Sequence, residues 1–288
     1  MKLVLIHGRA QEGKNPELLR KEWVDALHYG CARADVQLPP KTTIEFPYYG
    51  DLLADLVKQV EAPLSRDVTA KGDLGEGDES SLRGEILTEI AQNAGVTAKD
   101  VQLELGGAAI ARGPGEWEWV QAMARALDKV PGLNGRFIDL FTRDAFVYLS
   151  YSNVRKQIND FVAAAIGQEP CVVLGHSLGS AVAYNVLSAP WPAQPAFPQL
   201  ITVGSPLGLR AFKARLKKPL ASPPCVRNWF NAYDDRDIVA LNPLDKTNFG
   251  ITPAVDNYNK VINFTDNRHG IAGYLADPEV ARKICQFL

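Results

Sequence analysis

CVVLGHSLGS, residues 171–180, is an apolar run that stops abruptly at a glycine, a histidine and a serine. Four apolar residues in succession read as a strand buried on both faces. The residues after the serine, AVAYNVL (181–187), read as an apolar helix. A strand, Gly-x-Ser-x-Gly and a helix in that order form a sharp, strained turn. Gly175 and Gly179 carry no side chain, so strand and helix can approach closely around it. The turn lifts Ser177 to the tip of a sheet. The N-terminus of the following helix points at the same spot, and its free N–H groups favour developing negative charge.

A serine hydroxyl is a weak nucleophile near neutral pH and needs a base, which in turn needs an orienting acid. On strand–turn–helix serines of this kind the partners follow in the order Ser, Asp/Glu, His. The chain has four histidines: His7, His28, His176 and His269. His7 and His28 precede the serine, and His176 flanks it, so its side chain is expected to point away. His269, in the loop TDNRHGIAGY, is the remaining candidate base. The acid is expected after the strand at 226–233, in YDDRDIVAL, which offers Asp234, Asp235 and Asp237. Asp237 is preferred because Ile238 and Val239 can anchor it against the sheet; Asp235, Asp234 and Asp266 stay open in that order. Backbone N–H groups must bind the oxyanion. One is expected from Leu178. The other is expected from the loop HGRAQ after the first strand, with Arg9 as donor and Ala10 behind it.

Further strand-like runs lie at 3–6, 43–46, 200–203, 226–233 and 260–264. Helical patterns fill 16–29 (ending at Gly30), 51–61, 116–129, 153–166, 178–188 and 278–287. This alternation predicts a mostly parallel α/β sheet with helices on both faces. More than a hundred residues separate the strands at 43–46 and 171–174. Part of them, residues 65–85, is polar, acidic and glycine-rich and reads as a loop. The rest reads as helical, with Trp117, Trp119, Val120 and Met123 at helical spacing, read as core packing. The expectation is one domain over 1–288, with a largely helical, cap-like insertion at about 63–135. The proline-rich stretch 188–199 reads as a rigid surface connection. Tyr48 and Tyr49 follow a strand's carboxyl end, where they could line a pocket; packing is the first reading.

Of the 288 residues, 46% are hydrophobic, and the formal net charge is −2. That balance gives no reason to expect nucleic acid as a partner. The one basic cluster, Lys213, Arg215, Lys217 and Lys218, reads as a solvated helix end. The four cysteines form no metal or redox spacing. No run reaches the roughly 18 apolar residues of a membrane span, and the first residues lack a signal-peptide apolar region. A cytoplasmic location is the resulting expectation.

LVLIHGRAQ, CVVLGHSLGS, ITVGSPLG, DDRDIVAL and the loop with His269 together resemble the α/β-hydrolase superfamily, in its lipase and serine-esterase branch. DIVAL is similar to the D-x-V-P pattern around the acid of some lipases, with Ala240 where proline is usual. The family's usual first strands are missing from this pattern. The resemblance implies a serine hydrolase cleaving a carboxylic ester, lipids included, through Ser177, Asp237 and His269 and an acyl-enzyme, with Arg9 and Leu178 at the oxyanion and no metal or organic cofactor. Thioester hydrolysis or acyl transfer would use the same groups. A non-catalytic binding protein of the same fold would be expected to lack one of them. The oligomeric state is not legible.

Overall fold

The structure is a computed structural model that describes residues 1–61, 76–106, 117–130, 135–191 and 196–288. Six strands form one parallel sheet: β1 (Lys2–Ile6), β2 (Thr43–Glu45), β3 (Cys171–His176), β4 (Phe197–Val203), β5 (Val226–Ala232) and β6 (Asp256–Tyr258). Their spatial order is β2-β1-β3-β4-β5-β6. The order reverses at β1, which lies between β2 and β3. In such sheets the loops leaving the two strands at the reversal diverge and open a crevice at their carboxyl ends. Ile6 and Gly175 are register partners there, so the first loop and the serine turn face each other.

The helices among the described residues are α1 (Pro16–Ala34), α2 (Gly50–Glu61), α3 (Glu76–Asn93), α4 (Ala98–Glu104), α5 (Trp117–Asp128), α6 (Gly135–Ser150), α7 (Ser152–Ile166), α8 (Leu178–Ser188), α9 (Arg210–Arg215), α10 (Lys246–Phe249), α11 (Ile271–Leu275) and α12 (Pro278–Cys285). Alternate strand residues feed two cores. Leu3, Leu5, Val172 and Leu174 pack against α1, α11 and α12. Val4, Ile6 and Val173 pack against α2, α6, α7 and α8 on the other face. This covering is why the central strands read as unbroken apolar runs. No described helix is long and apolar enough to cross a membrane.

Several sequence expectations are corrected. α1 does not stop before Gly30 but runs to Ala34, ending where Asp35 turns left-handed (φ 54°). Gly30 is a crossing point: a Cβ there would lie 2.1 Å from the Leu275 carbonyl oxygen and 3.1 Å from the Ala281 Cβ. Cys31, one residue on, has its Sγ 3.5 Å from that of Cys285, a proximity that linear spacing cannot reveal. The expected strand at 260–264 is absent, and β6 lies earlier. Val261 and Asn263 are buried while Ile262 and Phe264 are exposed, and the Asn263 N–H donates to the Asp234 carboxylate (2.7 Å) rather than to a ladder. β4 begins at Phe197, inside the proline-rich stretch; residues 192–195 lie outside the described residues.

Of the loop expected at 65–85, residues 65–75 lie outside the described residues, and 76–85 belong to α3, which runs on to Asn93. Within it Leu82, Ile86, Leu87 and Ile90 are buried in the same apolar cluster as Val4 and Ile6. α6 was not expected from the sequence. Val120 and Met123 of α5 are buried, with Trp119 packed against them; the Trp117 side chain lies outside the described residues. Glu89 of α3 accepts from the first N–H groups of α9, Arg210 (3.0 Å) and Ala211 (3.2 Å). Asn93, at the end of α3, donates to the Ile238 carbonyl (3.1 Å), fixing the helix beside the turn that carries Asp237.

Gly30→Ala tests the crossing. Alanine is the better helix former by about 1 kcal/mol, yet overpacking at a close crossing costs typically about 1–3 kcal/mol. The urea midpoint of the variant should fall; an unchanged or raised midpoint would contradict the approach of α1 to α11.

Candidate active site

Ser177 sits between β3 and α8 with φ 54° and ψ −129°, a conformation that costs a non-glycine residue of order 1–3 kcal/mol. Its surroundings hold it there. The Ser177 N–H donates to the Val203 carbonyl (3.1 Å). The Ser177 carbonyl accepts from the Ser180 N–H (2.9 Å) and the Ser180 hydroxyl (2.6 Å). A Cβ on Gly175 would lie 2.6 Å from the Gly179 carbonyl, and one on Gly179 would lie 2.3 Å from the His7 carbonyl. Both glycines are therefore needed, one where strand meets helix and one where helix meets the end of β1.

His269 and Asp237 converge on this serine. The His269 Nε2 lies 2.8 Å from the Ser177 Oγ, and the Nδ1 lies 2.7 Å from the Asp237 Oδ2. A carboxylate only accepts, so in the neutral imidazole Nδ1 carries the proton and Nε2 presents a lone pair to the hydroxyl. Asp237 is fully buried but well provided with donors. Its Oδ2 also accepts from the Tyr274 hydroxyl (2.5 Å), and its Oδ1 accepts from the Val239 N–H (3.1 Å). Burial and the Asp237 charge raise the Tyr274 phenol well above its ordinary value, so it stays a donor.

The other carboxylates have different places. The Asp235 side chain is 74% exposed and Asp266 is exposed. Asp234 is buried and structural: it accepts from the Arg236 N–H (2.8 Å) and from the Asn263 N–H. Asn263 in turn wires the loop that carries His269. Its Nδ2 donates to the Gly270 carbonyl (2.8 Å), its Oδ1 accepts from the Thr265 N–H (3.0 Å), and the Thr265 hydroxyl accepts from the Gly270 N–H (2.9 Å). Arg268, left-handed at φ 56°, closes the loop by donating to the Asn263 carbonyl (2.8 Å).

The loop after β1 lies against the serine. A Cβ on Gly8 would meet the Ser177 Cβ at 2.8 Å, so only glycine fits. His7 is fully buried and stacks on Tyr49 with ring centroids 4.1 Å apart. The Tyr49 N–H donates to its Nε2 (3.0 Å), which leaves the proton on Nδ1 to be donated to the Gly8 carbonyl (2.6 Å). Across a trans peptide the N–H points opposite to the C=O; pinning the Gly8 carbonyl therefore fixes the Arg9 N–H. Burial lowers the His7 pKa to about 4. Tyr49 thus packs beneath this loop and does not line a pocket.

The Arg9 side chain is also buried, which lowers its pKa to about 10 against the opposing pull of Asp144. Its guanidinium lies 4.8 Å from the Phe137 ring centroid and donates to the Phe137 carbonyl. Phe137, on the first turn of α6, meets the His269 ring edge-on at 5.5 Å between centroids. Ser177 is only 2% exposed. Sequence reasoning missed Tyr274, Asn263 and Phe137. Each acts through a contact with a remote segment, and none belongs to a local motif.

A hydroxyl, an imidazole and a carboxylate in hydrogen-bonded series can generate an alkoxide nucleophile and stabilise the imidazolium that results. The first N–H groups of α8 have no partner within the helix, so the Leu178 N–H can receive negative charge. Among the described residues no cluster of three or more His, Cys, Asp or Glu side chains is arranged to hold a metal ion.

The family model for Lipase (class 3) matches residues 116–246 of this chain. The match contains the serine turn and Asp237; it starts after the His7–Arg9 loop and ends before His269. Searches of curated proteins and of solved structures gave no match.

The burial of His7 predicts a pH dependence of stability. Unfolded, it titrates near 6.5; folded, near 4. The unfolded chain therefore binds the extra proton between these values. The stability is intact above pH 6.5 and declines as pH falls towards 4, by about 3 kcal/mol for this one group. Urea unfolding from pH 7.5 to 4.5 should show a slope of this sign, to which the buried His176 also contributes, and His7→Gln should remove the His7 share of it. An identical slope in the variant would mean that His7 charges freely in the fold.

Proposed function

As a lipase-like member of the α/β-hydrolase superfamily, the chain is of a hydrolase type, and we propose that it cleaves carboxylic esters, lipid esters included, through Ser177, Asp237 and His269. The observation that carries this reading is the unbroken contact from the Ser177 Oγ to the His269 Nε2 (2.8 Å) and from the His269 Nδ1 to Asp237 (2.7 Å). These residues come from three loops on one edge of the sheet.

In this reading the Ser177 Oγ attacks the acyl carbonyl carbon while its proton passes to the His269 Nε2. The tetrahedral oxyanion is held by the N–H groups of Arg9 and Leu178. His269 then gives its proton to the departing alcohol oxygen, leaving an acyl-enzyme. Water attacks that ester, deprotonated by His269, and releases the acid and free Ser177. Asp237, with its three donors, keeps the imidazole in the Nδ1–H tautomer and offsets its transient charge. Fixed N–H donors at the oxyanion contribute about 10²–10³ in rate each. Ser177 is only 2% exposed, and in this reading Phe137, whose ring meets that of His269 edge-on, moves aside for substrate. In this reading α3 and α5, the helices of the 63–135 insertion that pack against α6, belong to the cap.

Ser177→Ala should abolish turnover of an ester panel of varied acyl length, thioesters included, while leaving the melting temperature unchanged. A fluorophosphonate should label the wild type at Ser177 alone; retained turnover in the variant, or an adduct elsewhere, would refute the assignment. Asp237→Asn should lower kcat by several orders of magnitude, of the order of 10⁴ for a comparable change. Asp235→Asn should be nearly silent, and the reverse ranking would move the acid to position 235.

A further inference from the structure

We propose that His176, the residue before the nucleophile, is a positioning residue that holds the base His269 at its working distance from Ser177. The proposal rests on the ester-hydrolysis reading above and adds a group that never touches the reacting atoms.

The His176 ring is buried at the carboxyl end of β3, and its Nε2 lies 2.8 Å from the backbone carbonyl oxygen of His269. A carbonyl only accepts, so the proton sits on Nε2 and the contact is an N–H···O=C bond. The ring is boxed in by the His269 ring (5.0 Å between centroids), Trp23 of α1 (5.9 Å) and Tyr274 of α11 (6.0 Å). Burial first, then the neighbouring His269, depresses its pKa well below the ordinary value. It therefore remains neutral and adds no charge beside an imidazole that must itself become positive.

The consequence is mechanical. The peptide that follows His269 is held at both ends: its carbonyl by the His176 Nε2, its N–H by the Thr265 hydroxyl (2.9 Å). The strut starts on the residue bonded covalently to Ser177. Nucleophile and base are thus referenced to one peptide bond at the tip of β3, although 92 residues separate them in the chain. Asp237 holds only the far side of the imidazole and leaves the distance from the loop backbone to the serine free. His176 sets that distance.

The variants exploit reach. In His176→Gln the amide nitrogen sits where the imidazole Nε2 sits, and the bond to the His269 carbonyl is kept. In His176→Asn the amide nitrogen reaches only as far as Nδ1, and the bond is lost. In His176→Phe the ring volume stays and the donor goes. A misplacement of about 1 Å at a reacting group costs on the order of 10²-fold. The expected result is a kcat lowered roughly 10- to 100-fold in the Phe and Asn variants with KM little changed. Their fluorophosphonate labelling should slow to match, while the Gln variant recovers most of both rates.

Labelling of Ser177 followed by mass spectrometry, steady-state kinetics and melting temperature on all four proteins decide the matter. Wild-type rates in His176→Phe overturn the proposal. So do equal rates in the Gln and Asn variants, a comparison that stands even where the Phe variant does not fold. A loss confined to melting temperature, with kcat intact, makes His176 a stability residue only and also overturns it. A wild type that does not label at all overturns the hydrolysis reading itself, and this inference falls with it.

Discussion

The closest constraint in the molecule is the lack of room around residues 175–179. β3 must reverse into α8 while the end of β1 passes within contact of the same helix turn. A side chain on Gly175 or Gly179 would overlap backbone, and Ser177 is held left-handed. Everything functional is built on that crowding. α8 starts against β1, so its first turn lies close to the loop that follows β1. Because that loop lies against Ser177, Gly8 can be nothing larger. The reversal of strand order at β1 puts this crowding where a parallel sheet opens its crevice.

Around this point the polar groups are buried and nearly all satisfied. Asp234 grips Asn263, Asn263 grips the loop of His269, Tyr274 grips Asp237, and Tyr49 with His7 grips Gly8. Such networks stiffen a site because each lost partner leaves a desolvated group behind, at about 1–3 kcal/mol. Two left-handed non-glycine residues, Ser177 and Arg268, flank the hydroxyl–imidazole contact. Strain at both ends of one contact is sustained only by surroundings that over-determine it.

The sheet, its central strands and the serine turn were legible because they depend on local pattern: apolar runs, glycine spacing and chain order. The structure brings together Ser177, Asp237 and His269, the residues that chain order and anchoring had selected. What was not legible depends on remote contact. Gly30 looks like a helix stop because a glycine commonly is one, yet its role is set by α11, more than two hundred residues on. The segment 260–264 alternates like a strand, but its inward Asn263 spends its N–H on Asp234, so no ladder forms. α3 was obscured because acidic and glycine residues dominate the window 65–85, while its buried side, Leu82 to Ile90, lies mostly at the end of that window or beyond it. Asp234 illustrates the limit of local reading: beside Asp235 and Asp237 in sequence it is a rival acid, and in space it anchors the loop of His269 through Asn263.

The most direct test of the central claim, that hydroxyl, imidazole and two backbone N–H groups share one reacting point, is a crystal structure of the chain after reaction with a small alkyl fluorophosphonate. The account predicts phosphorus bonded to the Ser177 Oγ, with one phosphoryl oxygen at about 2.7–3.1 Å from both the Arg9 and Leu178 nitrogens and the His269 Nε2 still beside Oγ. A phosphoryl oxygen turned away from both nitrogens, or an imidazole withdrawn from the adduct, would contradict it.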